Sequence, residues 1–269
     1  MAIVKGFLQM TGSLKGVSFY TRRGSDQVIM RTKGGISKRK LATAPQFAEL
    51  RKNQKEFGGC TKFASSTRYA FGGLHRLADY NLTPVLTGMA KNLIKLDTEM
   101  SLGERRIQLS QHKEVLEGFN FNRNYSFNTV LRVSVTGVID RSSLLATVTI
   151  PRINTDIDLV NIQKLPYFRI ITTIGTVSDM HYNEARRGYI PDTPDLHGAS
   201  AVLTGSWYPS QAIVAAQTMI VQMTEKQQTL LSDDISILLS IGIEFGAVGS
   251  TGETTEVKYA GCGKVMMVR

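Results

Sequence analysis

The sequence predicts an α+β protein in which a basic N-terminal β-hairpin arm and short helices precede an antiparallel β-sandwich. Strand-like runs with short polar breaks fill the chain after residue 103. Apolar residues at helical spacing occur between residues 45 and 100. The net charge is +10, and residues 1–113 carry +13 against −3 for the rest. We therefore expect two regions, a basic arm, hairpin and helical region over residues 1–103 and a β-sandwich domain over residues 104–269.

The first element is predicted to be a β-hairpin with a basic tip. Residues 14–21 (LKGVSFYT) and 27–32 (QVIMRT) are rich in β-formers, and turn-forming residues separate them. Glycines at 6, 12 and 16 interrupt the preceding stretch, which favours an arm that lies against another surface over an independent sheet. The apolar residues expected to make that contact are Val17, Phe19, Tyr20, Val28 and Met30.

Residues 34–40 (GGISKRK) are predicted to form a flexible basic loop that faces solvent or phosphate. Together with the hairpin they supply seven candidate contacts for nucleic acid or an acidic partner: Arg22, Arg23, Arg31, Lys33, Lys38, Arg39 and Lys40. Basic and aromatic side chains together suit a surface that follows a nucleic-acid backbone and stacks its bases. Because Phe19 and Tyr20 are adjacent on a strand, only one of them can face a given surface.

Three helical regions are expected next. Thr43 followed by Pro45 and Gln46 favours a helix start, and this helix should run over about residues 45–57 and end at Gly58-Gly59. A second helical region over residues 60–80 should break near Gly72-Gly73. A third should span about residues 84–100.

The remaining elements are predicted strands. The segment 210–223 also fits a helix, but its β-branched content favours a strand. The long segment 179–198, which contains two prolines, is predicted as an ordered loop carrying a contact surface. The predicted strand runs are 106–110, 130–138, 144–150, 168–177, 199–207, 212–223, 235–245 and 257–268.

No motif for catalysis or for a cofactor is found in the sequence. Residues 261–264 (GCGK) are followed by valine where a P-loop requires serine or threonine, and no G-x-S-x-G elbow occurs. A metal site drawn from the 179–198 segment would use Asp179, His181, Asp192, Asp195 and His197, but loop side chains of this kind are usually solvated. We expect no enzyme activity, no metal and no cofactor.

The two cysteines, Cys60 and Cys262, are too few for a disulfide framework or a four-cysteine zinc site. Cys60 near a helix start could be a reactive thiol, although a small buried cysteine is the commoner case. No apolar run approaches the ~20 residues that cross a bilayer, and the N-terminal residues lack a signal peptide's apolar core. The expectation is a soluble cytoplasmic protein without a membrane partner, or one held within a virion.

The N-terminal residues carry one resemblance. The segments 12–20 (GSLKGVSFY), 28–35 (VIMRTKGG) and 45–47 (PQF), followed by 51–53 (RKN), resemble the N-terminal pattern of uncharacterised Bacteroidota proteins of unknown function. The similarity covers roughly the first sixty residues. It implies a bacterial or phage source, and it assigns no role to any residue.

These observations favour a non-enzymatic structural protein that self-assembles into a particle, tube or filament, such as a phage component. The basic first part of one copy can dock on the acidic later part of another. The expected partners are therefore copies of itself. The alternative is a nucleic-acid-binding protein that uses the basic N-terminal region, and an acidic protein surface is the other partner that such a region would attract.

Overall fold

The computed structural model describes residues 2–4, 11–21, 27–32, 35–250 and 252–269. The chain forms two compact units, Met1–Arg51 and Lys52–Arg269. This division falls well before residue 103, where the sequence led us to expect a boundary. Residues 52–103 belong with the later strands because their apolar side chains cover one face of the central sheet in the second unit.

The N-terminal unit contains a four-stranded antiparallel sheet in the order β1-β4-β3-β2. Its strands are β1 (Ala2–Val4), β2 (Gly12–Leu14), β3 (Val17–Thr21) and β4 (Val28–Thr32). The predicted hairpin is confirmed, since β3 pairs with β4 and Val17 lies opposite Thr32. Its predicted basic tip, with Arg22 and Arg23, lies outside the described residues, as does Lys33.

The run 14–21 is two strands and not the single strand that was predicted. Lys15 and Gly16 form a two-residue turn between Leu14 and Val17, with φ of 38° and 89°. A type I′ turn requires positive φ at both central residues, and glycine at the second position adopts it freely. The chain therefore reverses after Leu14, and β2 pairs with β3 in a hairpin of its own.

The predicted basic loop is in part a helix, α1 (Lys38–Thr43). Ser37 starts it, because its side chain accepts a hydrogen bond from the backbone N–H of Lys40 at 3.2 Å. The side chain of Arg51 then donates to the carbonyls of Leu41 and Ala44, at 2.9 Å each. These bonds tie the end of α1 to the next helix.

The next helix, α2 (Ala48–Ala70), begins after a 3-10 turn at Pro45–Phe47 and continues through Gly58-Gly59. The predicted stop at these glycines is therefore wrong. Gly59 serves close packing instead: a Cβ there would lie 2.5 Å from the ring of Tyr189. The break near Gly72-Gly73 is confirmed, and both glycines have positive φ.

The other helices are short, apart from α3. They are α3 (Leu82–Leu93), α4 (Phe127–Val130), α5 (Thr155–Asp158) and α6 (Glu225–Gln228), with 3-10 helices at Leu74–Leu77, Ile94–Leu96, Leu109–Gln111, Lys113–Val115 and Pro194–Leu196.

The strands of the second unit pair antiparallel throughout. They are β5 (Thr136–Asp140), β6 (Leu145–Ile150), β7 (Ile153–Asn154), β8 (Tyr167–Ser178), β9 (Met180–Asn183), β10 (Gly188–Pro191), β11 (Ser200–Thr204), β12 (Tyr208–Pro209), β13 (Ile213–Val214), β14 (Gln217–Gln222), β15 (Ile235–Val248) and β16 (Thr254–Val268). The central sheet has the order β11-β8-β15-β16 with β12 beside β8, and a second sheet has the order β14-β6-β5.

Three local predictions differ from this arrangement. The segment 179–198 contains the hairpin β9–β10 and is not a continuous loop. Residues 106–110 form a single bridge between Ile107 and Met180 in place of a strand. The run 130–138 is a strand only from Thr136, because its first residue closes α4.

The predicted antiparallel β-sandwich is confirmed. One face of the central sheet packs on the β14-β6-β5 sheet, and their side chains form one apolar cluster that includes Val148, Ile170 and Ile237. The other face is covered by the helical residues, in a second cluster that joins Phe71 and Leu74 to Leu238. β8 and β15 are therefore buried on both faces, and each is rich in β-branched and other apolar residues with one charged residue.

Glycines in the central sheet let the helical layer approach closely. A Cβ on Gly175 of β8 would lie 1.9 Å from the carbonyl oxygen of Ala70, at the end of α2. On β15, a Cβ at Gly242 would lie 2.6 Å from the side chain of Leu74. At these two positions the helical layer packs directly on the backbone of the sheet.

Candidate interaction surfaces

The strand register sorts the predicted arm residues onto two faces of the N-terminal sheet. Residues that lie directly opposite one another on paired strands share a face. Val17 lies opposite Leu14, and Phe19 lies opposite Met30. With Val28, which lies opposite Thr21, these side chains make one apolar face.

Tyr20 lies on the other face of the N-terminal sheet. It is opposite Ile29, and the guanidinium of the neighbouring Arg31 lies 5.6 Å from the centre of its ring. The structure therefore brings four of the five predicted arm residues together and separates Tyr20 from them. Arg31 is exposed and joins Tyr20 in a mixed aromatic and basic face.

The apolar face of this sheet is only partly covered, since Val28 is buried and Val17, Phe19 and Met30 are half-buried. Among the described residues of the N-terminal unit whose burial is known, only Val28 and Ile29 are buried, and Leu14 is 60% exposed. Both large apolar clusters of the described chain are built from residues after Arg51. The sheet also has two open edges, at β1 and β2. Open edges can accept a strand from another chain.

The N-terminal unit is strongly basic. It carries ten basic residues against two acidic ones, a net charge of +8. Lys38, Arg39 and Lys40 follow one another in α1, and all three are exposed. Within the described ranges, none of these three side chains forms an ion pair.

The second unit offers an exposed apolar strip on its smaller sheet. Val138 of β5 and Ile220 of β14 both lie opposite Thr147 of β6, so the three share the face that points away from the core. Val138 is 64% exposed and Ile220 57% exposed. Both strands are edges of this sheet.

A wide bulge in β16 forms a different kind of feature. Gly261 lies opposite Glu244 and Glu256 lies opposite Gly246, so four residues of β16 stand against Phe245 alone. Within the bulge, Tyr259 has a φ of 61° and is 77% exposed. Such a backbone conformation costs a non-glycine residue roughly 1 kcal/mol or more, and bulges occur often beside functional sites. The sequence signal for this bulge is Gly261 at its end, since a glycine within a strand pattern often indicates a bulge, but residues 257–268 were predicted as one continuous strand.

Next to Tyr259 lies a pocket lined by basic and aromatic side chains. Its lining includes Arg68, His75, Arg76 and Tyr80. Arg76 forms an ion pair with the buried Glu244, at 2.7 Å from its Nη2 to Oε1. Burial lowers the pKa of His75, and the nearby guanidinium groups of Arg68 and Arg76 lower it further. The imidazole is therefore held in its neutral form.

Two of the acidic residues predicted in the segment 179–198, Asp179 and Asp192, lie close to each other at one end of the central sheet. Asp179 is buried and accepts hydrogen bonds from the N–H and the hydroxyl of Ser110, at 3.0 and 2.5 Å. Burial raises its pKa to about 6, and the charges of Asp192 and Asp234 act in the same direction. Asp192 is hydrogen-bonded to Nδ1 of His181.

The other residues of that segment are placed differently. His197 is largely buried, which lowers its pKa to about 4, and its Nδ1 faces the backbone N–H of Ser178 at 3.2 Å. Asp195 is exposed. In the part of the chain that the structure describes, no group of three or more His, Cys, Asp or Glu side chains could hold a metal ion.

Both cysteines are buried, Cys60 inside α2 and Cys262 inside β16. Burial raises the pKa of the Cys60 thiol to about 11 and that of Cys262 to about 12. The buried position expected for Cys60 is confirmed, and both thiols stay protonated near neutral pH.

Comparisons of the chain with protein families, with curated proteins and with solved structures give no match. None of the described helices combines the length and the apolar character that crossing a membrane requires.

Proposed function

We propose that this protein is a non-enzymatic structural protein that assembles with copies of itself, through its N-terminal unit, into a particle, tube or filament such as part of a virion. The observation that carries the proposal is the N-terminal sheet, which has a partly exposed apolar face and only two buried residues among those whose burial is known. A unit of about 50 residues seldom stabilises itself by burial of its own side chains. An apolar sheet face gains free energy when another surface covers it.

Charge favours a second copy as that surface. The N-terminal unit carries +8, residues 52–113 carry +5 and the strand-rich residues 114–269 carry −3, so the second unit as a whole is +2. Unlike charges of this size attract the basic unit of one copy to the β-rich part of another. The strip formed by Val138 and Ile220 supplies exposed apolar area there, at strands whose edges are open. In this proposal the strip receives the arm of a neighbouring copy.

The test is the mass of the full-length protein in solution, measured by light scattering over a range of salt concentrations. We expect species well above the protomer mass of 29.7 kDa at low salt, and a falling mass as salt screens the charges over ~8–10 Å. A protein that stays monomeric at high concentration and low salt would contradict the proposal.

Two variants sharpen this test. Val138→Ser with Ile220→Ser removes the apolar strip and should weaken association about tenfold or more, because two exposed β-branched side chains lose their burial at the contact. Val248→Ser is the matched control, since Val248 is 53% exposed at the end of β15. Equal association of the control and the double variant would show that the strip is not the receiving surface.

A second candidate function is the binding of nucleic acid. It is favoured by three consecutive exposed cations, Lys38, Arg39 and Lys40, and by the stacking of Arg31 on Tyr20. Such a surface would follow a phosphate backbone and stack bases. A virion component can have both properties, so the two candidates are compatible.

The salt dependence of binding tests the second candidate. Neutralising Lys38, Arg39 and Lys40 with glutamine should lower the log–log slope of affinity against salt by roughly 0.7–0.9 for each lost phosphate contact. The control replaces three exposed cations of the second unit, Arg186, Arg187 and Lys226, with glutamine. If the parent protein binds neither DNA nor RNA at low salt, this candidate is excluded.

A further inference from the structure

The pocket beside the β16 bulge is rich in hydrogen-bond donors and poor in acceptors. Arg68 lies near the end of α2, His75 and Arg76 lie in the 3-10 helix Leu74–Leu77, and all three line the pocket. No Asp or Glu side chain occurs among the described residues of the lining. The pocket is therefore positively charged, although Glu244 neutralises part of the charge of Arg76.

Two of these side chains have buried nitrogen atoms without a partner. Nε of Arg68 and Nδ1 of His75 are both buried, and neither has a hydrogen-bond partner in the described structure. Buried polar groups are nearly always hydrogen-bonded, so two such atoms in side chains of one pocket are unusual. Nε of Arg68 is a donor in every state, whereas Nδ1 of a neutral imidazole donates or accepts according to its tautomer. Arg76 supplies a third group, since its contacts with Glu244 use only Nε and Nη2 of its guanidinium.

A helix terminus adds to the positive potential of this pocket. Asn81, the N-cap of α3, and Leu82, its first residue, belong to the same lining. The N-terminus of a helix carries a partial positive charge. The donors thus approach from three successive elements, the end of α2, the 3-10 helix and the start of α3.

We propose that this pocket binds a phosphate group. A phosphate offers several acceptor oxygens in a tetrahedral arrangement, which suits donors that come from separate elements, whereas the two oxygens of a carboxylate lie in one plane. Arginine is the side chain best suited to bind phosphate oxygens in pairs. The site uses no residue of the N-terminal unit and is independent of the proposed assembly.

The surroundings of the site leave room for more than the phosphate group itself. The pocket and its open mouth contain about 490 Å³ of empty space. Tyr259 borders it with a largely exposed ring, on which the base of a nucleotide could stack. The phosphate can therefore arrive free in solution or as part of a nucleotide, and the experiment separates these two sources.

The test titrates the full-length protein with inorganic phosphate and, separately, with adenosine monophosphate. Binding is followed by NMR of the histidine rings, and a His75→Gln variant identifies the His75 signals. This local readout separates the pocket from general attraction of anions to the basic N-terminal unit. We expect the His75 signals to shift on binding, because an anion beside the imidazole favours its protonated form.

Variants establish which side chain holds the phosphate. Arg68→Gln should weaken binding about tenfold, the loss expected for one charge-assisted hydrogen bond. Arg186→Gln, which removes the same charge from an exposed turn, should change the affinity less than about twofold. If Arg68→Gln does not fold, Arg68→Lys keeps the charge but lacks the paired donors of the guanidinium group, and the same weakening is expected.

The source of the phosphate follows from the comparison of the two ligands. Tighter binding of the nucleotide, lost in Tyr259→Ser, assigns the site to a nucleotide, and equal binding of both ligands assigns it to free phosphate. His75 signals that stay unmoved by either ligand at millimolar concentration would overturn the proposal. Full binding by a folded Arg68→Gln or Arg68→Lys variant would overturn it as well.

Discussion

At the scale of single residues, the buried carboxylates carry the clearest energetic consequences. Glu56 in α2 is fully buried and accepts two hydrogen bonds from Arg105, each at 2.8 Å. Lys91 donates at 2.7 Å and the N–H of Gly103 at 2.9 Å. Burial opposes ionisation of Glu56, but the bonds from Arg105, Lys91 and Gly103 outweigh it and lower its pKa to about 2. The charged form is thus strongly favoured in the folded protein.

The first prediction concerns Glu56→Gln. The variant leaves two partly buried cations without their counter-charge and should lower the free energy of unfolding by about 3 kcal/mol at neutral pH. A carboxyl group whose pKa is lowered on folding stabilises the protein above its unfolded pKa near 4.5, and this stability is lost as the pH falls toward 2. Urea unfolding should therefore show a difference between parent and variant that shrinks below pH 4.5.

The matched control for Glu56 is Glu114→Gln. Glu114 is 71% exposed and pairs loosely with His112 at 3.5 Å. An exposed pair contributes little, so its loss should change the free energy of unfolding by less than about 0.5 kcal/mol. If the Glu56→Gln variant were as stable as this control, the negative charge of Glu56 would not be needed to stabilise the charges of Arg105 and Lys91.

The pKa of Asp179 shifts in the opposite direction to that of Glu56. Burial first, and then Asp192 and Asp234, raise its pKa to about 6, so the folded protein holds its proton more tightly than the unfolded chain does. The stability connected with this group is present at low pH and is lost as the pH rises from about 4 to about 6. Above that range the folded protein contains a poorly solvated negative charge.

The second prediction is that Asp179→Asn stabilises the protein at pH 8. Asparagine can still accept the N–H of Ser110 and donate to its hydroxyl, but it carries no charge. The free energy of unfolding should rise by about 1–3 kcal/mol at pH 8 and converge with that of the parent near pH 4. Asp195→Asn, on an exposed side chain, should change little. A loss of stability in Asp179→Asn at pH 8 would contradict the assigned cause.

At the scale of elements, close packing of helix on sheet depends on Gly175 of β8. The third prediction is that Gly175→Ala lowers the free energy of unfolding by about 3 kcal/mol or more, because the new methyl group would overlap the carbonyl of Ala70. Gly58→Ala is the control. Gly58 lies on the exposed side of α2 with open space around it, so alanine should stabilise the helix by about 0.5–1 kcal/mol.

Thermal or urea unfolding of the two glycine variants gives the comparison directly. If Gly175→Ala were as stable as the parent, the helical layer would have to lie further from the sheet than the structure places it. Opposite signs for the two alanines would show that the same substitution acts through packing at one site and through helix propensity at the other.

The elements also show how far the sequence determined the fold. β8 and β15 were predictable because β-branched, aromatic and other apolar residues make up most of both sequences, as suits strands that are buried on both faces. The prediction of a helix end at Gly58-Gly59 failed because the sequence does not show that the ring of Tyr189 packs against Gly59, where a Cβ would overlap it. The hairpin β9–β10 was missed because prolines and charged residues hid two short strands.

The candidate surfaces were predictable to different degrees. The sequence named five arm residues as one contact set, and four of them share a face of β3 and β4. Tyr20 was counted with them although its adjacency to Phe19 on the strand already placed it on the other face. The pocket beside Tyr259 could not be foreseen, because Arg68, His75 and Tyr259 are distant in sequence. They line one pocket only because the helical layer packs on the central sheet and β16 bulges there.

At the scale of the whole molecule, apolar burial is divided unequally between the two units. The clusters on both faces of the central sheet belong to the second unit, whereas the described part of the N-terminal unit has a paired sheet with little burial. The second unit therefore contains the buried apolar core that a folded protomer requires. In the proposed assembly, the N-terminal unit gains its burial from a neighbouring copy.

The fourth prediction follows from this division. Deletion of residues 1–33 removes β1 to β4 but leaves α1, α2 and the whole second unit. The truncated protein should keep a cooperative melting transition, because no residue of either large apolar cluster is removed. It should lose the ability to assemble, because the apolar sheet face and its edges are gone.

The most direct test of the proposed assembly compares the mass of the truncated protein with that of the full-length chain. Both masses are measured by sedimentation at low salt, together with a melting curve of each protein. We expect large species for the full-length chain and a folded monomer for the truncated one. A truncated protein that no longer melts cooperatively would place the arm in the protomer's own core, and one that still assembles would place the contact elsewhere. Either result would contradict the claim that the N-terminal sheet joins one copy to the next.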